Sequence, residues 1–237
     1  MKAKRVRKLD PEAPLVFNAA RIVRTRLDEL RSFAPGALQP EHTTEQHDLR
    51  IAAKRLRYVL EATGFCFGAP ADTARRRARD LQSVLGELHD CDVMLPRIEG
   101  HVTALRHEDA EALRERAGEA TDLDPALLSE GPNRTAYRGL EQLAAGVEAR
   151  RRLLFGRFVE LWTELERSAT WERLERAIDR ALARARERQE VAERAERAAK
   201  ALERAELAER DAADRARKAA AELAAARAAQ GSGQSGG

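Results

Sequence analysis

The sequence predicts an all-α protein: an antiparallel helix bundle of at least four helices, followed by a long solvated or coiled-coil C-terminal helix. Three observations predict it. Hydrophobic residues make up 43% of the chain but aromatics only 4%, so packing must rest on alanine and leucine. Apolar residues recur three and four apart through most of the sequence, the period of a helix with one buried face. Prolines cluster at joints and none follows Pro132.

Pro11 and Pro14 open a first helix to about Phe33, with Leu15, Ala19, Ile22, Val23, Leu27 and Leu30 on one face. Pro35, Gly36 and Pro40 predict a hinge. Thr43 or Thr44 is expected to cap a second helix over about 45–65, ended by Gly64, Gly68 and Pro70. A third helix is expected from an Asp72 cap to about Pro96, with Ala74, Ala78, Leu81, Leu85 and Leu88 sharing a face. Residues 98–119 read as a more polar or broken helix, and 121–134 as a loop with at most a turn inside it.

Leu140, Leu143, Val147, Leu154, Phe158, Leu161, Trp162 and Leu165 form a strong apolar stripe for a helix over about 135–169. From 171 to 229 alanine alternates with Arg and Glu while large apolar residues thin out, which predicts a solvated helix or a weak coiled coil. The expected organisation is a basic arm (1–10), a bundle (11–170), a helical extension (171–229) and a flexible Gly/Ser tail (230–237).

No apolar run approaches the ~20 residues of a membrane span. The basic N-terminus is not followed by an apolar stretch, so no secretory signal and a cytoplasmic address are expected. Cys66 and Cys91 have neither metal-ligand nor redox spacing and are expected to be buried free thiols. The net charge of +3 hides an asymmetry. Residues 1–80 carry 17 Lys/Arg against 10 Asp/Glu, residues 81–170 carry 11 against 17, and the rest 15 against 13. A basic end of this kind attracts anionic partners.

That charge concentrates on the second helix. At ~100° per residue with His47 at zero, Arg50 falls at about 300°, Lys54 at about 340° and Arg57 at about 280°. Leu49, Ala53, Leu56 and Leu60 fall between about 180° and 240°. The helix thus carries a core stripe and, beside it, a basic stripe, with Arg55 turned away from both at about 80°. Cations repeated each turn lie ~5.4 Å apart along the axis, a spacing suited to a chain of phosphates. A solvated face usually interleaves signs, whereas this stripe has only Glu61 near its far end. Arg21 and Arg24 on the first helix and Arg75 and Arg79 on the third are expected to add to it.

The run from His47 to Glu61, with Arg50, Lys54, Arg55, Arg57 and Tyr58, resembles the signature of the CHAD family, the conserved-histidine α-helical domain. The run from Leu81 to Val93, with Leu85-Gly86 and Asp90, resembles that family's second signature, and the similarity extends over roughly 11–170. The resemblance implies a helix bundle that binds inorganic polyphosphate through basic residues lining a groove or channel. By position, His47, Arg50, Lys54 and Arg57 look like the binding stripe, with Arg55 a weaker candidate. Gly86 looks like a glycine that lets two helices approach. Relatives usually carry two four-helix halves, each with its own basic helix, and His89 stands where an arginine is common. This chain repeats no second His-x-x-Arg-x-x-x-Lys-x-x-Arg, so two copies are expected to pair as a homodimer and rebuild the channel.

An enzyme is not expected. The chain lacks a glycine-rich phosphate loop, a Ser-His-Asp set, a dinucleotide fingerprint and the glutamate-bearing strands of triphosphate-processing domains. Asp90 and Asp92, two apart on a helix, point in different directions. Neither His47 nor His89 has a ligand at i+4 on the right face, so no metal or cofactor is expected. Nucleic acid ranks behind polyphosphate as a partner, because the basic region offers only Tyr58 for stacking. A scaffold assembling through residues 171–229 is the third reading.

Overall fold

A computed structural model describes residues 2–120, 124–126 and 131–231. Half of the expected 121–134 loop and the Gly/Ser tail from 232 onward lie outside the described residues. The described residues form five helices: α1 (Leu15–Ala37), α2 (Thr43–Thr63), α3 (Ala69–Ala117), α4 (Arg134–Arg167) and α5 (Thr170–Gly231). A 3-10 turn, Gly64–Cys66, joins α2 to α3. Each of α1 to α4 packs on its neighbour in sequence, and no strand occurs among the described residues. The all-α bundle with a long C-terminal helix is therefore the observed architecture. Among the described residues, no helix is long and apolar enough to cross a membrane.

Two compact units divide the chain, Met1–Leu182 and Ala183–Gly237. The core of the first uses the predicted faces. Val23, Leu27 and Leu30 of α1, Leu49, Leu56 and Leu60 of α2, and Leu81, Leu85 and Leu88 of α3 are all buried. Leu154, Phe158, Trp162 and Leu165 of α4 join them. Each such leucine stabilises the bundle by about 1.5–3 kcal/mol, which fixes the rotation of α2 and hence the direction of its basic stripe.

Several boundaries differ from expectation, each for a local reason. Pro35 and Gly36 sit inside the last turn of α1 and are not a hinge; a Cβ on Gly36 would lie 2.9 Å from Glu45 Cγ, so glycine admits α2 here. α2 begins at Thr43 behind His42, with no side-chain cap bond from a threonine. α3 begins at Ala69 rather than behind Asp72, because Gly68 adopts a φ of +71° and Pro70 fits the first turn. Asp72 lies inside that turn, where a carboxylate meets the positive helix end. Pro96 does not end α3, which runs on to Ala117.

Residues 98–117 accordingly continue α3 without joining the core. Ile98 is the last buried residue of α3 and Leu154 the first of α4, so the outer halves of these helices pair mainly with each other. Asp109 holds them, accepting from Asn133 N–H (3.1 Å), Asn133 Nδ2 (2.9 Å) and Tyr137 Oη (2.8 Å).

The chain breaks between α4 and α5 with neither proline nor glycine, through Ala169 at a φ of +48°. The first three turns of α5 belong to the bundle rather than to a solvated extension. Trp171, Leu174, Ala177, Ile178 and Ala181 are buried at helical spacing, and Leu182 closes the set. Arg31 bonds Glu172 and Glu175 (both 2.9 Å), and Arg24 bonds Asp179 (2.5 Å), clamping α5 to α1. In the second unit Val191, Leu202, Leu207 and Leu223 are exposed on a single helix.

Candidate functional site: a basic seam between α2 and α3

Helices α2 and α3 are antiparallel neighbours, and two contacts fix their register. The rings of His47 and His89 have centroids 4.9 Å apart, and a Cβ on Gly86 would lie 3.6 Å from Arg50 Nε. Continuing that register sets Gln82 level with Lys54 and Arg79 level with Arg57. The seam runs His47, Arg50, Lys54, Arg57 along α2, bordered on α3 by His89, Gly86, Gln82 and Arg79.

Charge along the seam is little compensated. Among the described residues no carboxylate bonds to Arg50 or Lys54, while Arg57 Nε lies 3.8 Å from Glu61 Oε1 and His47 Nδ1 lies 3.4 Å from Asp48 Oδ1. The Nε donors of Arg50 and Arg57 and the Oε1 acceptor of Gln82 are buried with no hydrogen-bond partner among the described atoms. Unpaired buried polar atoms are costly, so these groups have unused bonding capacity. Tyr58 is half-exposed, with the Arg57 guanidinium 4.5 Å and Lys54 Nζ 5.9 Å from its ring centre. Its π face draws both cations to the same side of the helix.

At the histidine end lies a depression of about 330 Å³ lined by Thr43, Thr44, His47, His89, Asp92 and Val93. Its floor is tied to α4: Arg151 bonds Asp92 (2.5 Å), the Pro40 carbonyl (2.9 Å) and Gln46 Oε1 (3.2 Å). This bracket was not read from the sequence, because its members lie up to 111 residues apart. Asp92 serves as a structural anchor here, and Asp90 is exposed.

The other expected cations divide. Arg55 bonds buried Glu29 (2.7 Å), which also accepts from Arg26 (2.7 Å) and the Lys4 N–H (3.1 Å). Arg55 is therefore committed to the α1 side, away from the seam. Arg21 and Arg24 do not join the seam either; they line a separate pocket with the N-terminal arm. On α3, Arg75 lies 3.9 Å from Asp72, and Arg79 is exposed.

Gly86 also differs from expectation. A Cβ there would meet nothing closer than Arg50 Nε, at ordinary contact distance, so close helix approach does not demand glycine. What glycine leaves open is space beside the Arg50 guanidinium.

The described residues contain no group of three or more His, Cys, Asp or Glu placed to hold a metal ion. Both cysteines are free. Burial raises the thiol pKa of each; at Cys91 Asp92 and Asp90 add to this while Arg150 and Arg151 oppose it.

Fold and seam together define a helix-bundle protein with a cationic interhelical face. Residues 2–99 match the family model described as CHAD domain, so this part of the chain is similar to CHAD domains. The match covers α1, α2 and the inner half of α3, and stops well short of the 170 expected from resemblance. No curated protein matches the chain, and no solved structure matches it.

Proposed function

We propose that this protein binds inorganic polyphosphate along the α2–α3 seam and is not an enzyme. CHAD domains are associated with polyphosphate binding in general. The observation that carries the reading to these residues is the run Arg50, Lys54, Arg57. Its members stand one turn apart, two lack a carboxylate partner among the described residues, and two hold buried Nε donors with no hydrogen-bond partner among the described atoms. A phosphate chain offers acceptor oxygens all along its length, so each turn of cations can find one, and charge-assisted bonds to them are about twice as strong as neutral ones. His47 and Arg79 extend the track, with Arg75 at its end. The cytoplasm is the proposed site of action, in keeping with the free cysteines. Two chains pairing through their seams would enclose the ligand, and light scattering with and without polyphosphate reads that pairing directly.

Nucleic acid is the competing ligand, since its phosphates meet the same cations. Beside the two histidines, Tyr58 is the one aromatic side chain placed on the seam among the described residues, which favours a ligand without bases. A competition titration separates the two: labelled long-chain polyphosphate is displaced by unlabelled polyphosphate or by single-stranded and duplex DNA at equal phosphate concentration. Displacement by polyphosphate at tenfold or lower concentration supports the proposal. Equal displacement makes the seam a general polyanion surface, and an absence of binding removes the proposal.

A further inference from the structure

A second cluster of cations lies apart from the seam. The N-terminal arm folds back on α1, and Lys4, Arg5, Arg7, Lys8, Arg21 and Arg24 line a concavity of about 570 Å³. That volume is within the range of ordinary ligand sites. The arm is held at both ends. At one end the Lys4 N–H donates to Glu29 (3.1 Å) and its carbonyl accepts from Arg26 (3.0 Å). At the other, Asp10 N–H donates to Asn18 Oδ1 (3.0 Å), and Asn18 Nδ2 donates to the Asp10 carbonyl (2.6 Å). Between these ties Lys8 turns at a φ of +59°, a conformation that β-carbon residues adopt at a cost of roughly 1 kcal/mol or more.

Six like charges around one concavity repel one another, and no acidic residue lines it. Asp179, bonded to Arg24, is the one carboxylate paired with any of the six charged side chains among the described residues. A multivalent anion entering the concavity turns that repulsion into attraction. The lining holds no aromatic ring and no apolar side chain for a base to stack on; Thr25 is its one uncharged member.

We propose that the N-terminal arm and α1 form a second, independent anion site that takes a short inorganic phosphate chain and is closed by it. The site does not rest on the α2–α3 seam: Arg21 and Arg24 line this concavity, and none of its lining residues comes from α2 or α3.

Trypsin reads the arm directly, because it cleaves after Arg5, Arg7 and Lys8. The full chain is digested briefly in sodium tripolyphosphate or in sulfate at equal ionic strength, with an unrelated arginine peptide in the same tube to normalise protease activity. Arm cleavage is followed by mass spectrometry in the wild type, Arg50→Glu/Lys54→Glu and Arg21→Glu. Tripolyphosphate is expected to slow arm cleavage at least tenfold in the wild type and equally in the seam variant, and to lose that effect in Arg21→Glu. No slowing beyond sulfate, slowing that vanishes in the seam variant, or slowing that survives Arg21→Glu would each overturn the proposal. Failure of the seam reading leaves the expected pattern unchanged, so the two remain distinguishable.

Discussion

Glu29 is the charge on which the α1–α2 interface turns, and replacing it by Gln tests that reading at constant volume. Its side chain is 3% exposed and accepts from Arg26, Arg55 and the Lys4 N–H. Removing one partner from a buried ion pair costs about 3–5 kcal/mol, because the remaining charge stays desolvated. Arg26 and Arg55 keep 14% and 26% exposure, and Gln still accepts one bond, which together lower the expected loss to about 2–3 kcal/mol. For a unit of this size that is a fall in Tm of about 5–10 °C. Both tryptophans, Trp162 and Trp171, are buried in the bundle, so their fluorescence follows its unfolding without interference from the second unit. Urea titrations of wild type and Glu29→Gln should show a lower midpoint at equal slope. A loss under about 0.5 kcal/mol, ordinary for a surface change, would refute the assignment of Arg55 to this cluster.

Four further outcomes follow from the geometry. Gly86→Ala should raise stability by about 0.5–1 kcal/mol, since helix propensity improves and the Cβ meets Arg50 at ordinary contact distance. Gly86→Leu, which fills the space beside that guanidinium, should weaken polyphosphate binding at least fivefold in a filter or polarisation assay. A chain ending at Leu182 should keep the Tm of the tryptophan-reported bundle within about 3 °C, because core burial stops there. A chain ending at Arg167 removes Trp171, Leu174 and Ile178 with the Arg31 clamp, and should not unfold cooperatively. Equal behaviour of the two truncations would contradict the packing of α5.

What the sequence made legible was periodic. The buried faces of α2 and α3 follow from residues three and four apart, and the same arithmetic turns Arg55 away from Arg50, Lys54 and Arg57, in line with its bond to Glu29. Prolines misled where packing outweighs the loss of one hydrogen bond. Pro96 removes a single N–H from a helix otherwise held by Ile98 and by α4, so α3 continues through it. The inner part of α5 was hidden by composition: Leu174, Ile178 and Leu182 stand among Arg and Glu, yet the apolar spacing was present. Arg21 and Arg24 illustrate a different limit. Their spacing is helical and their charge is right, but which neighbour they face depends on α5 and the N-terminal arm, through Asp179 and Lys4, and no local pattern encodes that.

The central claim is that polyphosphate binds at Arg50 and Lys54 on the α2–α3 seam rather than through net charge. Isothermal titration with long-chain polyphosphate on Arg50→Glu/Lys54→Glu tests it, beside a charge-matched control on the exposed helix, Arg197→Glu/Lys200→Glu. Two charge-assisted bonds, discounted for solvent screening, predict about 30-fold weaker binding for the seam variant, a change under about threefold for the control, and unchanged melting for both. Equal weakening in both variants, or full affinity in the seam variant, would contradict it.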